Sequence, residues 1–334
     1  MITTHGMCPR QGDRFEHRQL YQGDDIPDNA VWIDMLSPTS EEDALVEAHL
    51  GIAIPTREEM RDLEPSELIY NEGGARYMTA RIICKSLTEV PKLADVTFIL
   101  TEKALVTVRY DEPGSFAIFL NRVTKPDACA PLPEAVLDGL IESVVDRAAE
   151  VLRGVGDQID ASSRQIFEPG SASVEKGRYH RVLRDIGQYG QVISNVRESM
   201  VSIERVLLFL SANYQRPQKT AGFAAEWRTA LRDVQAIEEH ATFLSSKLQF
   251  NMDATLGLVT IEQNLTNIEQ NKIIKLFSVV SVVLMPPTLI ASIYGMNFKV
   301  MPELEWRFGY PMAIVMMIVA AVLPYLFFRW KRWF

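Results

Sequence analysis

The sequence is poor in the residues that form disulfides and soft metal sites. Among its 334 residues there are three cysteines, Cys8, Cys84 and Cys129, which are widely spaced and odd in number. They match neither a disulfide framework nor a zinc site, and a reducing cytoplasm suits such a chain. The histidines, at positions 5, 17, 49, 180 and 240, are scattered as well. We therefore expect no cluster of soft metal ligands.

Catalytic motifs are missing too. The sequence has no glycine-rich phosphate loop, no HExxH motif and no Ser/His/Asp or Cys/His arrangement typical of nucleophilic catalysis. It also has no apolar signal sequence at its N-terminus. We expect that the protein is not an enzyme, and we expect neither an organic cofactor nor a nucleic-acid partner.

Charge is absent from two long segments near the C-terminus. Residues 276–294 form a run of 19 without a charged side chain, and residues 308–328 form a run of 21. About 20 apolar residues in a helix cross the hydrocarbon core of a bilayer. Buried core helices of a soluble domain are the alternative, but these lengths favour two membrane spans. Aromatic residues lie near the ends, where interfacial anchors are usual: Tyr294, Trp306, Tyr310, Trp330 and Trp333.

The charges that remain divide the chain into an acidic body and a basic end. Residues 271–334 carry seven Lys or Arg against two Glu, a net charge of +5, and since the whole chain carries −9, residues 1–270 carry −14. The basic residues lie mostly at the outer ends of the two runs, so the positive-inside rule places both termini in the cytoplasm. The predicted membrane part, in contact with lipid, consists of spans at 276–296 and 308–328, an extracytoplasmic loop at 297–307 and a basic cytoplasmic tail at 329–334.

The acidic body divides into an α/β part and a helical part, which predicts an α+β cytoplasmic domain with long helices. Its predicted segments are a loose N-terminus at 1–25, an α/β domain at 26–130, a helical hairpin at 131–220 and a stalk helix at 221–275. Strands are indicated by β-branched and aromatic residues at 30–36, 76–85, 95–101 and 104–110. Ser37 or Ser40 is the expected N-cap of a helix after the first of these strands.

The stalk helix is predicted to continue into the first membrane span. No proline interrupts it before Pro286. A continuous helix from Glu226 to Tyr294 would be about 100 Å long at 1.5 Å per residue. A helix of that length needs support from neighbouring helices, because intrinsic propensity alone is weak.

A seven-residue repeat runs along this helix. One series of positions seven residues apart runs from Asn264 to Ser292, and a second runs from Asn267 to Gly295. The two series interleave at spacings of three and four, so all of these positions lie on one helix face. Most of these positions hold Asn, Ser, Thr or Met, where a coiled coil would hold Leu and Ile. The members of this polar stripe are Asn264, Asn267, Asn271, Ile274, Ser278, Ser281, Met285, Thr288, Ser292 and Gly295.

The polar stripe predicts a pore. Polar side chains are costly against lipid tails, so the stripe should face another helix or water, and several copies of the helix around an axis would enclose a wet, uncharged tube. Ser and Thr that only assist helix packing are the alternative, but the stripe extends over four turns and beyond the apolar run. Met285 is a candidate apolar constriction, and Pro286 and Pro287 remove two backbone donors beside it.

The end of the first span carries a resemblance to a known family. Residues 268–298, IEQNKIIKLFSVVSVVLMPPTLIASIYGMNF, are followed by MPEL and by a second short span with a basic end. This combination resembles the CorA family of Mg²⁺ transport proteins, strongly over 255–334 and in architecture over 25–250. The resemblance implies a funnel-shaped homopentamer in the cell inner membrane that passes Mg²⁺, and also Co²⁺ and Ni²⁺.

The resemblance also implies residue roles. Gly295, Met296 and Asn297 would form the selectivity filter, and Asn271, Met285 and Thr288 match pore-lining positions. The uncharged ring is chemically sensible, because Mg²⁺ gives up its water reluctantly and a carboxylate ring would slow its release. Glu303 and Glu305 either raise the cation concentration at the entrance or are ordinary solvated loop acids. By spacing alone, the further candidate pore residues are Ile274, Ser278, Ser281 and Ser292.

Regulation by the transported ion is the last implication of the resemblance. In the family, cytoplasmic Mg²⁺ bridges carboxylates of neighbouring subunits and favours the closed state. Asp233, in the segment LRDV, and Asp95 are the candidate regulatory ligands, and solvated surface acids are the alternative. Without Mg²⁺, like charges would repel across the subunit interfaces and loosen the assembly.

Two other functions remain open at this point. Proton-coupled Zn²⁺ transport occurs in relatives of the same superfamily, although MPEL and the scattered histidines argue against it. A membrane-anchored oligomeric scaffold or sensor would have an apolar or small-residue seam, and the polar stripe differs from that.

Overall fold

The computed structural model describes residues 1–8, 14–21, 23–61, 64–84, 91–123, 132–167, 178–213, 221–297, 301–304 and 306–331. The chain divides into two compact units, Met1–Thr255 and Leu256–Phe334. The first unit holds a mixed sheet with long helices, and the second holds the two apolar segments.

The sheet of the first unit has seven strands in the described residues. They are β1 (Ile2–Cys8), β2 (Arg14–Leu20), β3 (Ala30–Leu36), β4 (Ile69–Glu72), β5 (Ala75–Cys84), β6 (Lys92–Leu100) and β7 (Leu105–Arg109). Their spatial order is β2-β1-β3-β7-β6-β5-β4. The central pair, β3 and β7, is parallel, and the other neighbouring strands pair antiparallel.

The N-terminus is part of this sheet, so the prediction of a loose segment at 1–25 is wrong. Strand β1 pairs with both β2 and β3, and Ile2 and Leu20 are buried in the core. The polar composition that suggested a loose segment has another cause. Strand β2 lies at the edge of the sheet, where His17, Arg18 and Gln19 are exposed, and charged side chains are usual on such strands.

Helices cover both faces of the sheet. They are α1 (Ser40–Leu50), α2 (Pro65–Leu68), α3 (Gly114–Val123), α4 (Pro133–Phe167) and α5 (Arg178–Asn213). Successive residues of β3 point to opposite faces, as the pleat requires. Trp32 contacts the rings of Phe116 and Phe119 in α3, whereas Ile33 joins a core cluster that includes Val46 of α1.

Helix α1 begins with a capping box, but the cap is not one of the predicted serines. Thr39 is the N-cap: its hydroxyl accepts a hydrogen bond from the backbone N–H of Glu42, and the Glu42 carboxylate accepts one from the Thr39 N–H. Ser37 has a positive φ of 46° and Ser40 already lies in the helix. The decisive signal is Glu42, three residues after Thr39.

Helix α5 closes part of one sheet edge. Strand β4 pairs with residues 75–78 of β5, and Arg81 lies beyond that pairing. There the Ser202 hydroxyl of α5 accepts a hydrogen bond from the Arg81 N–H (3.0 Å), and its single proton is shared between the carbonyls of Ser199 (2.7 Å) and Arg81 (3.1 Å). A side chain thus replaces a strand as the partner of the β5 backbone.

A buried ion pair joins the two central strands. Arg109 of β7 donates to the Asp34 carboxylate of β3 through Nη2 (2.7 Å) and Nε (3.0 Å), and Thr107 donates to the same carboxylate (2.7 Å). Trp32 in turn donates to the Thr107 hydroxyl (3.0 Å). The hydrogen bonds offset the cost of removing two charges from water.

The second unit consists of helical segments. Helix α6 (Ala221–Tyr294) is continuous from the first unit into the second, as predicted for the stalk, and is followed by a short 3-10 turn (Pro302–Leu304) and α7 (Gly309–Trp330). Both apolar segments are long and apolar enough to cross a membrane, and only 6% of each is buried within the chain. Core helices of a soluble protein would be mostly buried, so this low burial favours membrane spans over that alternative.

Candidate ion pathway and its entrance

The polar stripe lies on the exposed surface of α6. Every member from Asn264 to Gly295 is exposed in the single chain, with Ile274 at 60% and Met285 at 69%. Two stripe hydroxyls donate to carbonyls one turn earlier: Ser278 to Ile274 (2.8 Å) and Thr288 to Leu284 (2.7 Å). These hydroxyls satisfy their donors within the helix and keep their oxygen lone pairs available to water.

Within the chain, α6 is buried on a face other than the one that carries the polar stripe. Val279 is 5% exposed, while its neighbours Ser278 and Val280 are exposed. At 100° per residue, Val279 lies about 130° around the helix from the middle of the polar stripe. The chain therefore buries an apolar position on the far side and leaves the stripe uncovered.

Thr288 lies directly after the two prolines of the helix. Pro286 and Pro287 have no N–H to offer the carbonyls one turn earlier, yet α6 continues through them to Tyr294. The Thr288 hydroxyl bonds to the neighbouring carbonyl, that of Leu284. The Thr288 hydroxyl thus adds a donor at the carbonyl next to the two, those of Val282 and Val283, that the prolines leave without an N–H partner.

The candidate filter residues follow the end of α6. The helix ends at Tyr294, two residues before the predicted end of the span at 296. The Gly295 N–H donates to the Ala291 carbonyl (2.9 Å) and the Met296 N–H to Ile293 (3.2 Å), so both residues remain attached to the last helical turn. Asn297 is exposed beyond them. The triplet thus lies directly at the end of the polar stripe.

The candidate entrance loop is positioned by a glycine that sequence reasoning missed. A Cβ atom on Gly309 would lie 2.1 Å from the backbone carbonyl oxygen of Glu303, which is far inside a van der Waals contact. The Gly309 N–H also donates to the Trp306 carbonyl (2.8 Å). The turn that carries the exposed Glu303 therefore packs directly on the start of α7. Glu305, the other predicted entrance acid, lies outside the described residues.

The two candidate regulatory acids have different surroundings. Asp233 is exposed on α6, whereas Asp95 of β6 lies 3.4 Å from the Nε of Arg81. The Glu198 carboxylate of α5 also accepts a hydrogen bond from Arg81. Within the described residues, no group of three or more His, Cys, Asp or Glu side chains is placed to hold a metal ion. A single chain does not assemble a carboxylate cage from its described part.

A further acid, missed by sequence reasoning, is perturbed in the first unit. Burial and the neighbouring carboxylates of Glu226 and Glu142 raise the pKa of Asp138 in α4 to about 6, against the attraction of Arg122. Glu226 lies on α6 and Arg122 on α3, so three helices contribute to this pKa. No local sequence pattern indicated this raised pKa, because Arg122, Asp138 and Glu226 are far apart along the chain.

Comparison with known proteins decides the family. The family model described as "CorA-like Mg2+ transporter protein" matches residues 27–332. The chain belongs to the CorA family. The magnesium transport protein CorA of Escherichia coli (strain K12) is 33% identical over 305 residues, which cover 91% of this chain and 92% of that protein. The family resemblance found in the sequence is confirmed.

Solved structures extend the likeness to the fold. The CorA magnesium transporter of Methanocaldococcus jannaschii superposes with a TM-score of 0.64 at 17% identity, covering 98% of this chain and 97% of that one. The ZntB cytoplasmic domain of Vibrio parahaemolyticus gives 0.57 at 9% identity, covering 78% of this chain and 98% of that one. The expected fold class, a mixed sheet with long helices and two candidate C-terminal membrane helices, is confirmed.

Proposed function

We propose that this CorA-family protein is a homopentameric channel that passes Mg²⁺, and also Co²⁺ and Ni²⁺, across the cell inner membrane. The observation that carries the proposal is the polar stripe on α6. It is exposed, it lies opposite the buried Val279, and it ends at the Gly295-Met296-Asn297 triplet. Relatives of this chain at 33% identity are named magnesium transport proteins.

Fivefold repetition would place the stripe around a common axis. The exposed oxygens of Asn271, Ser278 and Thr288 would then face a water-filled path, and lipid would contact the apolar faces of α6 and α7. Met285, exposed at 69%, would form the apolar constriction. Native mass spectrometry of the protein in detergent tests this step, and a mass other than five chains would contradict it.

The filter would select an ion that keeps its water. Mg²⁺ holds its hydration shell tightly, and five Asn297 side-chain oxygens with neighbouring carbonyls would accept hydrogen bonds from those waters. An uncharged ring binds the ion weakly enough to release it to the pore. Glu303, held by its packing on Gly309, would raise the local cation concentration without contacting the ion.

Flux into liposomes with the purified protein is the decisive experiment. Wild type should take up Mg²⁺ when internal Mg²⁺ is low, and Asn297→Ala should lose most of that uptake. Asn71→Ala, an exposed asparagine in the β4–β5 hairpin, is the matched control and should transport normally. Undiminished uptake by Asn297→Ala would remove the filter assignment. Zn²⁺ uptake coupled to acidification would favour zinc transport, and no uptake of any ion would favour a scaffold.

Cytoplasmic Mg²⁺ would close the channel by bridging acids of neighbouring subunits. Asp233 is exposed on α6 and available to such a bridge, whereas Asp95 would have to exchange its contact with Arg81 for the metal. Protease resistance should rise at millimolar-scale Mg²⁺, and Asp233→Ala should lose that dependence. An unchanged response would exclude Asp233 as a ligand.

The membrane orientation is part of the proposal. Both termini would lie in the cytoplasm, since the basic residues concentrate at the outer ends of the two spans. Reporter fusions at either end should be active only when the reporter functions in the cytoplasm. A reporter exported at either end would contradict this topology.

A further inference from the structure

The first unit contains a cavity away from the polar stripe, and the candidate regulatory acid Asp95 is among its lining residues. It has a volume of about 470 Å³ and opens between the β5 edge of the sheet and α5. Small-molecule sites commonly enclose about 300–1,000 Å³ with apolar walls and a few polar groups. Met60, Leu68 and Ile69 supply apolar lining from the sheet side, and Val201 supplies it from α5. The size and the lining suit a small organic ligand.

Arginine is the dominant charged residue of the cavity. Arg81, Arg197 and Arg205 line it together with two acids, Asp95 and Glu198, so the lining has a net charge of +1. Residues 1–270 carry −14 as a whole. This local excess of positive charge opposes the charge of the body around it, so it favours an anion at short range, through direct contact with the guanidinium groups.

The three arginines differ in their availability. Arg81 is already bound by Asp95 and Glu198, which makes it part of the cavity wall. Arg197 interacts weakly with Glu238 on α6. Burial and a neighbouring carboxylate raise the pKa of Glu238, and the attraction of Arg197 opposes that shift. Among the described residues, none forms an ion pair with Arg205. Arg205 and, to a lesser degree, Arg197 therefore have guanidinium groups available to a ligand.

The helix spacing brings these two cations to the same side. Arg197, Val201 and Arg205 follow one another at intervals of four, so they share one face of α5 with the apolar Val201 between them. The guanidinium groups present forked donors, which match the oxygens of a phosphate group. One side of the cavity therefore carries two forked donors, about two helical turns apart on α5, and the other offers apolar contact.

We propose that this cavity binds a small organic phosphate, whose phosphate group contacts Arg197 and Arg205 and whose apolar body packs on Met60, Leu68 and Ile69. This site is separate from the polar stripe, although Asp95 in its wall is also a candidate ligand for regulatory Mg²⁺. Because α5 supplies the phosphate contacts and the sheet side supplies the apolar wall, a bound ligand would connect the two. Ligand that binds only the folded state would also raise the melting temperature of the first unit.

Three probes separate the two halves of the proposed site. AMP carries both a phosphate and a planar organic body, adenosine lacks the phosphate, and inorganic phosphate lacks the body. Equilibrium dialysis is performed with the full-length protein in detergent, at one buffered free Mg²⁺ concentration so that chelation does not change the result. AMP should bind at least about tenfold more tightly than either of the others, because adenosine forgoes the charge-assisted hydrogen bonds and inorganic phosphate forgoes the apolar burial.

Variants on α5 decide where AMP binds. The double variant Arg197→Ala/Arg205→Ala should weaken AMP binding by about tenfold or more, while Arg153→Ala, an exposed arginine of α4, should leave it unchanged. Arg205→Lys, which keeps the charge but not the fork, should show an intermediate loss. No AMP binding to wild type would overturn the proposal, and so would equal binding to wild type and the double variant. Equal binding of AMP and inorganic phosphate would exclude the apolar contact. None of these outcomes affects the flux experiment.

Discussion

The two units place their large apolar side chains in opposite environments. In the first unit Trp32, Ile33 and Met78 are completely buried, whereas in the second Phe277 and Leu323 are 66% and 62% exposed. The first unit is stabilised by its own core, as a domain of this size in water must be. The second is apolar on the outside and requires lipid or other copies of the chain around it.

Polar groups show the reverse contrast. The first unit buries charge and neutralises it internally, as Asp34 and Arg109 do. The second unit keeps charge away from its long apolar runs and presents uncharged oxygens along one exposed face. A charge sealed between strands contributes to one fixed structure, whereas an exposed uncharged oxygen remains available to passing water and ions.

Breaking the buried ion pair should have the largest effect on stability. Arg109→Ala would leave Asp34 at 5% exposure without its counter-ion, and a broken buried pair costs about 3–5 kcal/mol. Thermal melting of the first unit, followed by circular dichroism, measures the loss. Arg228→Ala, an exposed arginine on α6, should change stability by less than about 0.5 kcal/mol. If the two variants melt alike, the stabilising role of the pair is wrong.

A second variant tests the tight turn at the entrance. Gly309→Ala would force its Cβ against the Glu303 carbonyl, and such overpacking costs about 1–3 kcal/mol. We expect the turn to shift and Mg²⁺ uptake to fall at low external Mg²⁺ more than at saturating Mg²⁺. The control is Gly257→Ala on α6, where a Cβ meets nothing within 4 Å, and this change should stabilise the helix by about 1 kcal/mol. Equal flux through both variants would contradict the role of Gly309.

The polar stripe is tested by exchanging oxygen for methyl. Thr288→Val keeps the shape of the side chain but removes its hydroxyl, and the removal of one hydrogen-bonding group costs about 1 kcal/mol, which corresponds to roughly a fivefold fall in flux. Val280→Thr makes the opposite exchange on the side of α6 away from the stripe and should transport as wild type does. A fall in flux for Val280→Thr as large as for Thr288→Val would show that the stripe has no special role.

The smallest expected effect concerns pH. The pKa of Asp138 is raised to about 6, so the folded state binds this proton more tightly than the unfolded state, and the carboxylate costs stability once the pH rises above about 4. Because Asp138 is partly exposed, we expect Asp138→Asn to stabilise the protein by only about 1 kcal/mol at pH 7.5. The gain should disappear near pH 4. A gain that does not change with pH would contradict this cause.

His5 also makes the stability of the protein depend on pH, in the opposite direction from Asp138. The comparison of wild type with Asp138→Asn cancels the contribution of His5. Burial lowers the pKa of His5 to about 4, so the unfolded state binds its proton more tightly and stability falls as the pH drops from about 6.5 toward 4. Since His5 is present in wild type and in Asp138→Asn, the difference between the two curves isolates Asp138.

Periodicity predicted the parts of the fold that depend on local pattern. The strands expected at 30–36, 76–85, 95–101 and 104–110 correspond to β3, β5, β6 and β7, because their β-branched and aromatic residues suit strands that helices bury on both faces. The continuous α6 and the two membrane-length segments followed from the same kind of signal. The polar edge strand β2 was not predicted, because its exposed residues are charged or polar and its sequence shows little alternation of apolar and polar residues.

Contacts between distant residues were beyond local pattern. The Ser202 bonds to the backbone of Arg81 join residues 121 apart, and neither residue is unusual in its own segment. Gly309 escaped for a related reason, since its constraint comes from a carbonyl that reaches it only after the turn at 302–304 folds back. The stripe and the triplet remain predictions in their roles, although their exposure and continuity are described by the structure.

The seven-residue spacing of the polar stripe has a consequence for handedness. A straight α-helix has 3.6 residues per turn, so positions seven apart drift by about 20° per heptad, or roughly 80° over the four heptads from Asn264 to Ser292. To keep all of these side chains on one axis, the five α6 helices of the proposed pentamer must wind around each other in a left-handed supercoil. A small change in that winding would rotate the oxygens toward or away from the axis while every backbone hydrogen bond stays intact.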